Sequence, residues 1–297
     1  MTPSAFQQTV QGPARFSGVG VHTGAQARVV VRPAAADLGV VFIRTDVTDR
    51  DNRIAVSADA VCKTQLGTVI TNDAGVTVST IEHLMAALVM SEIDNAIVEL
   101  DGPEMPIMDG SALPFIQVLD QVGRRAQDAH RRFIEILSPV EVVDGDKSAR
   151  LEPADQFEVA FEIAFASSAI GRQRVDLPMG AKAFRRELAD CRTFGFLHEV
   201  EALRAMGLAR GGSMENVVVI EGDRVLNPEG LRRPDEFVRH KALDAIGDLF
   251  VLGAPVIGRF EGILAGHGIN NALVRALVAA PHAWRYRTLV KELAQAG

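Results

Sequence analysis

Gly123-Arg124-Arg125-Ala126-Gln127-Asp128-Ala129-His130-Arg131-Arg132 is polar and charged, and its few apolar residues follow no period. A run with no apolar face has nothing to bury, so it predicts an exposed connection between two folding units. The halves it separates read alike. Before it, residues 27–31 and 39–43 read as strands around a turn at Pro33, 76–78 as a short strand and 79–90 as a helix. A strand at 93–100, the turn Asp101-Gly102-Pro103 and a helix at 114–122 follow. After it, strands are expected at 133–143, 150–152, 157–165, 217–220 and 262–265, with helices at 235–252 and from about 272 onward. No repeat of fixed period is visible, so the likeness is architectural. The expectation is an α+β chain of two similar domains, 1–126 and 127–297, each a sheet with helices on one face.

With 47% hydrophobic residues in 297, the chain has enough apolar material for two such cores. A net charge of -7 argues against general nucleic-acid binding, which needs a basic footprint. The pairs Arg124-Arg125 and Arg131-Arg132 read as solvated linker surface. Cys62 and Cys191 are too few for a disulfide framework and suit a reducing compartment. The start Met1-Thr2-Pro3-Ser4 shows no basic segment leading into an apolar run, and no stretch of 18 apolar residues occurs. A cytoplasmic monomer with no integral membrane segment and a small-molecule substrate is expected.

The helix at 235–252 is the most informative for chemistry. Pro234 suits its first turn, Asp235 and Glu236 favour its positive end, and Gly253 and Pro255 supply the stop. His240, Asp244 and Asp248 recur every four residues and share a face. Phe237, Leu243, Ile246, Leu249 and Phe250 lie among them, so the helix is mostly buried. Ionisable groups there are costly unless paired or bound to metal. Taken alone, the spacing is better explained by a His–Asp pair that merely steadies the helix; a metal half-site needs a third ligand.

Ser79-Thr80-Ile81-Glu82-His83-Leu84 opens the helix of the first half. Ser79 and Glu82 fit a capping box, with His83 an ordinary core histidine. Alternatively His83 is the third ligand and Glu82 a base beside it, the helix N-terminus keeping the ring neutral. Two imidazoles and a carboxylate from His83, His240 and Asp244 suit Zn²⁺ with a fourth position open to water, though Fe²⁺ accepts the same set.

Gly266-His267-Gly268-Ile269-Asn270-Asn271 follows a strand and reads as a loop with an accessible histidine. Cys191-Arg192-Thr193-Phe194-Gly195-Phe196 is apolar around one hydroxyl. Ser17-Gly18-Val19-Gly20-Val21-His22-Thr23-Gly24 and Arg210-Gly211-Gly212-Ser213 lack the strand and helix context of a nucleotide-binding loop. Both read as loops able to approach a ligand closely, or as ordinary tight turns.

These stretches, with Pro106-Ile107-Met108-Asp109-Gly110-Ser111 and Arg239-His240-Lys241-Ala242-Leu243-Asp244-Ala245-Ile246-Gly247-Asp248-Leu249, occur in one order along nearly the whole chain. Together they resemble the UDP-3-O-acyl-N-acetylglucosamine deacetylase family of lipid A biosynthesis. The resemblance implies mostly antiparallel sheets with their helices packed between them and the site between the two domains. It implies His83, His240 and Asp244 as zinc ligands and Glu82 as general base. Thr193 would be an oxyanion donor and His267 the general acid, with Asp248 beside it. Lys241, Phe194, Leu203, Gly212 and Ser213 would line the substrate. An insert at about 192–212 would form an apolar channel for the 3-O-acyl chain; without the resemblance, its apolar residues would be expected to pack a helix into the core. One departure is visible: where the family often has a His-Pro pair before an Ile, this chain has Ala166-Ser167-Ser168-Ala169-Ile170. The competing functions are a zinc amidohydrolase acting on another N-acetylated sugar or nucleotide, and a non-catalytic protein with a structural zinc. The second is disfavoured because neither cysteine stands in ligand spacing.

Overall fold

The computed structural model describes residues 4–288. Its helices are α1 (Glu82–Met90), α2 (Leu113–Val122), α3 (Ala181–Glu187), α4 (Leu197–Ala205), α5 (Glu236–Leu249) and α6 (His267–Val278). In the first half a five-stranded sheet runs in the order Ala14–Val19, Gln26–Pro33, Ala96–Leu100, Val40–Arg44, Arg53–Ala55. Only Val40–Arg44 and Ala96–Leu100 pair in parallel. Parallel neighbours need a crossover, and here it contains the small sheet Val61–Lys63, Val69–Thr71, Thr77–Val78 followed by α1. The crossover that the topology demands thus carries Glu82 and His83.

In the second half a seven-stranded sheet is built around Val256–Ile263, which pairs with Arg132–Ile136, Lys147–Glu152 and Phe157–Ala164. Most pairings in the chain are antiparallel, and the fold is α+β as expected. Helix α2 packs on Ala14–Val19 and on α1, α1 packs on α5, and α5 and α6 pack on strands of the larger sheet. All of α1 is buried, and in α5 only Arg239 and Lys241 escape full burial. One glycine sets how closely these helices cross: a Cβ on Gly247 would lie 2.0 Å from the Glu82 carbonyl oxygen. Backbone contact at that point draws the start of α1 against the middle of α5.

The structure corrects several expectations. The polar run at 123–132 is not an exposed linker: Arg124–His130 is a strand paired antiparallel with Phe6–Val10. Its side chains are mostly exposed, so an edge ribbon needs no apolar alternation and escapes a search for periodicity. Arg131 is not solvated either; it is buried with its Nε 2.6 Å from Asp94 Oδ1. The span expected as one strand at 133–143 is two, Arg132–Ile136 and Val140–Asp144. The strand expected at 262–265 runs over Val256–Ile263. Helix α1 begins at Glu82, so Ser79 is outside it and no capping box forms. Helix α6 begins at His267 itself, not near Ala272, so that histidine stands on a helix N-terminus instead of a loop.

Candidate active site

His83 is the second residue of α1; His240 and Asp244 are one turn apart on α5. Because α1 crosses α5 at Gly247, the three side chains converge. Each imidazole Nε2 lies 3.4 Å from Asp244 Oδ1, and one donor atom from each residue falls within 4.8 Å of the others. The rings meet edge to face at 5.1 Å. All three residues are buried, and Asp244 Oδ1 has no hydrogen-bond partner. A buried, unpartnered carboxylate oxygen is costly unless a cation completes it.

The protonation chemistry fits a cation as well. His240 Nδ1 donates to the Cys191 carbonyl at 3.0 Å, which places the ring proton there and leaves Nε2 with its lone pair. Burial pushes His240 down to about 3, against the pull of Asp244. Burial opposes the charge on Asp244, but the cationic Lys241 and His267 beside it help hold Asp244 well below the usual carboxylate range. Lys241 Nζ occupies Oδ2 at 2.7 Å, leaving Oδ1 free. Neutral imidazole beside ionised carboxylate is the donor set a divalent metal requires.

Glu82 Oε2 accepts the Thr68 backbone N–H at 3.0 Å. Burial raises its pKa, partly offset by His267 and His83. On the other flank, His267 Nδ1 bonds Asp248 Oδ2 at 2.9 Å, and Asp248 also accepts Asn270 Nδ2 and the Thr68 hydroxyl. Burial works against a charged His267, but Asp248 more than offsets it and lifts the ring to about 9.

Glu82, His83, Thr193, His240, Lys241, Asp244 and His267 all line one cavity of about 970 Å³. So do Phe194, Leu203, Gly212 and Ser213; Asp248 does not, and sits behind His267. The cavity lining joins the His/His/Asp cluster to the apolar side chains of Phe165, Phe196, Val200 and Leu203, with Glu199 and Arg204 of α4 also on it. In α4 no residue is buried, which overturns the expectation of a helix packed into the core. Phe165, next to the departure at 166–170, packs on Phe194 and Phe196 at ring separations of 5.7 and 5.8 Å.

The two glycine-rich loops meet at the cavity. A Cβ on Gly211 would lie 2.2 Å from the Gly20 carbonyl oxygen, and Gly211 N–H donates to the Val21 carbonyl. Close backbone contact therefore joins a loop of each half.

Residues 7–279 match the family model described as "LpxC: UDP-3-O-acyl N-acetylglycosamine deacetylase". The chain belongs to that deacetylase family. A protein of Phenylobacterium zucineum called UDP-3-O-acyl-N-acetylglucosamine deacetylase is 78% identical over 98% of this chain and 99% of its own length. Proteins of the same name from Shewanella loihica and Shewanella oneidensis are each 47% identical over 97% of this chain and 94% of their own.

Some residues that shape the site of this family member were not singled out from sequence. Buried Glu104 accepts the His22 and Thr23 backbone N–H groups and the Thr23 hydroxyl, fixing the first glycine-rich loop. Buried Glu236 accepts the Arg192 N–H and Nε, both at 2.9 Å, and so anchors the residue before Thr193. The Gly110 carbonyl accepts the Thr193 N–H at 2.8 Å, which ties the 106–111 motif to Thr193. Glu236 was legible only as a charge favouring a helix start; nothing in the spacing pointed to Arg192.

Proposed function

We propose that this chain removes the acetyl group from a UDP-3-O-acyl-N-acetylglucosamine, releasing acetate and the free amine, as a zinc-dependent step of lipid A biosynthesis. One observation carries the reading. The His83, His240 and Asp244 cluster, with its unpartnered Asp244 Oδ1, lines a cavity that Phe165, Phe196, Val200 and Leu203 also line. A polar reacting group and an acyl chain on one substrate match that pairing. The names of the relatives support the same substrate.

His83, His240 and Asp244 would hold the metal, which when bound supplies Lewis acidity toward the acetamide carbonyl and acidifies water. Glu82 takes the proton of the attacking water; its burial-raised pKa makes it a better base than an exposed carboxylate. The Thr193 hydroxyl donates to the oxyanion of the tetrahedral intermediate. As the C–N bond breaks, cationic His267 gives its proton to the departing nitrogen, which is a poor leaving group otherwise. Asp248 orients that ring through Nδ1. Lys241 holds Asp244 and faces the cavity. Gly212, Ser213, Phe194 and Leu203 contact the substrate. The division into 1–126 and 127–297 belongs to this reading, with His83 from one domain and His240 and Asp244 from the other. All these residues come from one chain, so a monomer suffices. Cys62 and Cys191 are free thiols, which suits a cytoplasmic enzyme. No helix among the described residues is long and apolar enough to cross a membrane.

The test is acetate release from UDP-3-O-acyl-N-acetylglucosamine by purified protein, with and without a chelator. Zinc-dependent release is expected. Turnover unaffected by metal removal would sink the reading, and equal turnover of UDP-N-acetylglucosamine lacking the acyl chain would favour a general amidohydrolase.

A further inference from the structure

We propose that Thr68 is a positioning residue that couples Glu82 to the His267–Asp248 pair; this rests on the deacetylase reading above. Thr68 is 2% exposed and is not among the residues that line the cavity, so any effect it has passes through others. Its backbone N–H donates to Glu82 Oε2 at 3.0 Å, and its hydroxyl donates to Asp248 Oδ1 at 2.6 Å. Its carbonyl accepts the Ile81 N–H just before α1. One residue therefore touches the proton acceptor contributed by α1 and, through Asp248 on α5, the proton donor at the start of α6.

The chain is bent to make this possible. Leu66 has a φ of 58° and Gly67 a φ of 157°, and a Cβ on Gly67 would lie 3.1 Å from Glu82 Oε1. That approach lets the following N–H and hydroxyl reach two carboxylates at once. The hydroxyl occupies Asp248 Oδ1 and so fixes the carboxylate plane. Oδ2 is then presented to His267 Nδ1 and Asn270 Nδ2, each at 2.9 Å. With Nδ1 held, His267 Nε2 is turned toward the cluster, 3.9 Å from Asp244 Oδ2. A hydrogen bond to an ionised acceptor is strong and short, so losing it frees the carboxylate to rotate. Outer partners of this kind set the geometry of the groups in front of them.

Valine at 68 keeps the shape and the N–H but removes the hydroxyl; serine keeps both bonds. The experiment measures kcat, KM and zinc content of full-length zinc-loaded Thr68→Val, Thr68→Ala and Thr68→Ser, together with the ¹⁵N-resolved imidazole signals of His267. Thr68→Val is expected to lower kcat about 10- to 100-fold with KM and zinc content kept, and to move the His267 signals. Thr68→Ala should match it, which preserves the test if valine does not fold, and Thr68→Ser should stay near wild type. In an Asp248→Asn background the same valine substitution should cost little more, because the hydroxyl acts through that carboxylate. Unmoved His267 signals, wild-type kcat in Thr68→Val, a serine variant as slow as valine, or an equal loss in both backgrounds would each overturn the proposal. Absence of deacetylation by the wild-type chain would sink the activity instead, and the His267 signals would still test the coupling.

Discussion

Two parts of the cavity wall are built by different physics. In the polar part, His83, His240 and Asp244 are 2–4% exposed and stand on two helices in backbone contact. Where α4 lines the cavity with Val200 and Leu203, beside Glu199 and Arg204, that helix has no buried residue and Leu203 is only half-buried. Charged and hydrogen-bonding groups work only if fixed in place before the substrate arrives, so the polar part is buried and framed by packed helices. Apolar contact is non-directional and scales with area, so the other part needs only enough surface. Substitutions should therefore act in an all-or-none way at the cluster and in a graded way along α4.

The largest effect should come from the cluster. Alanine at His83, His240 or Asp244 should lower zinc content and abolish turnover, measured by metal analysis and acetate release. His240→Ala that kept a full complement of zinc would break the comparison at its strongest point. Next comes Glu82→Gln, which leaves the three proposed ligands intact. It should retain zinc and lose about 10²–10⁴-fold in kcat, the usual contribution of a positioned base. Near wild-type turnover would mean that the buried carboxylate is structural, serving only the Thr68 N–H.

An intermediate effect should appear in the pH profile. In the proposed role of acid, His267 works only while protonated, and Asp248 raises the ring to about 9 against the effect of burial. The acid form therefore persists through neutrality, and the rate should fall as pH rises past about 9. Asn at Asp248 removes the charge that raises the ring, so the basic limb of kcat against pH should move to lower pH. A limb that stayed in place would assign it to another group.

The contrast between the two parts also explains what could be read from sequence. His240 and Asp244 were visible because a helix turns spacing into a shared face, and Gly247 and Asp248 lay in the same run. The α+β class was visible because strands and helices differ in apolar period. The ribbon Arg124–His130 was not, since an exposed edge pair has backbone hydrogen bonds but no buried face. The Ser79 capping box looked right locally, yet the Ser79 hydroxyl donates to the Pro103 carbonyl and Glu82 turns to Thr68. Tertiary partners outcompeted a local pattern there. Thr68 and Glu104 carry no motif of their own; their partners come from other parts of the chain, and only the fold brings them together. The insert at 192–212 was legible as apolar but not in phase. Val200 and Leu203 face the cavity, whereas Met206 and Leu208 are not among its lining residues.

The smallest effect should come from that wall, and it is the most discriminating. Leu203→Ala removes three carbons from a half-buried side chain. At about 0.8 kcal/mol per fully buried methylene, and discounted for partial exposure, the loss on the acylated substrate should be on the order of 1 kcal/mol, about fivefold in kcat/KM. If Leu203 contacts the acyl chain as proposed, the non-acylated sugar lacks the group it would touch, so its turnover should not change, and zinc content should stay normal. Leu203→Glu should widen the gap between the two substrates, because a carboxylate would have to be desolvated against the acyl chain. Comparing kcat/KM for both substrates across wild type, Leu203→Ala and Leu203→Glu separates an acyl wall from general loosening of the cavity. Equal losses on both substrates would mean that α4 supports the polar part and does not hold the chain.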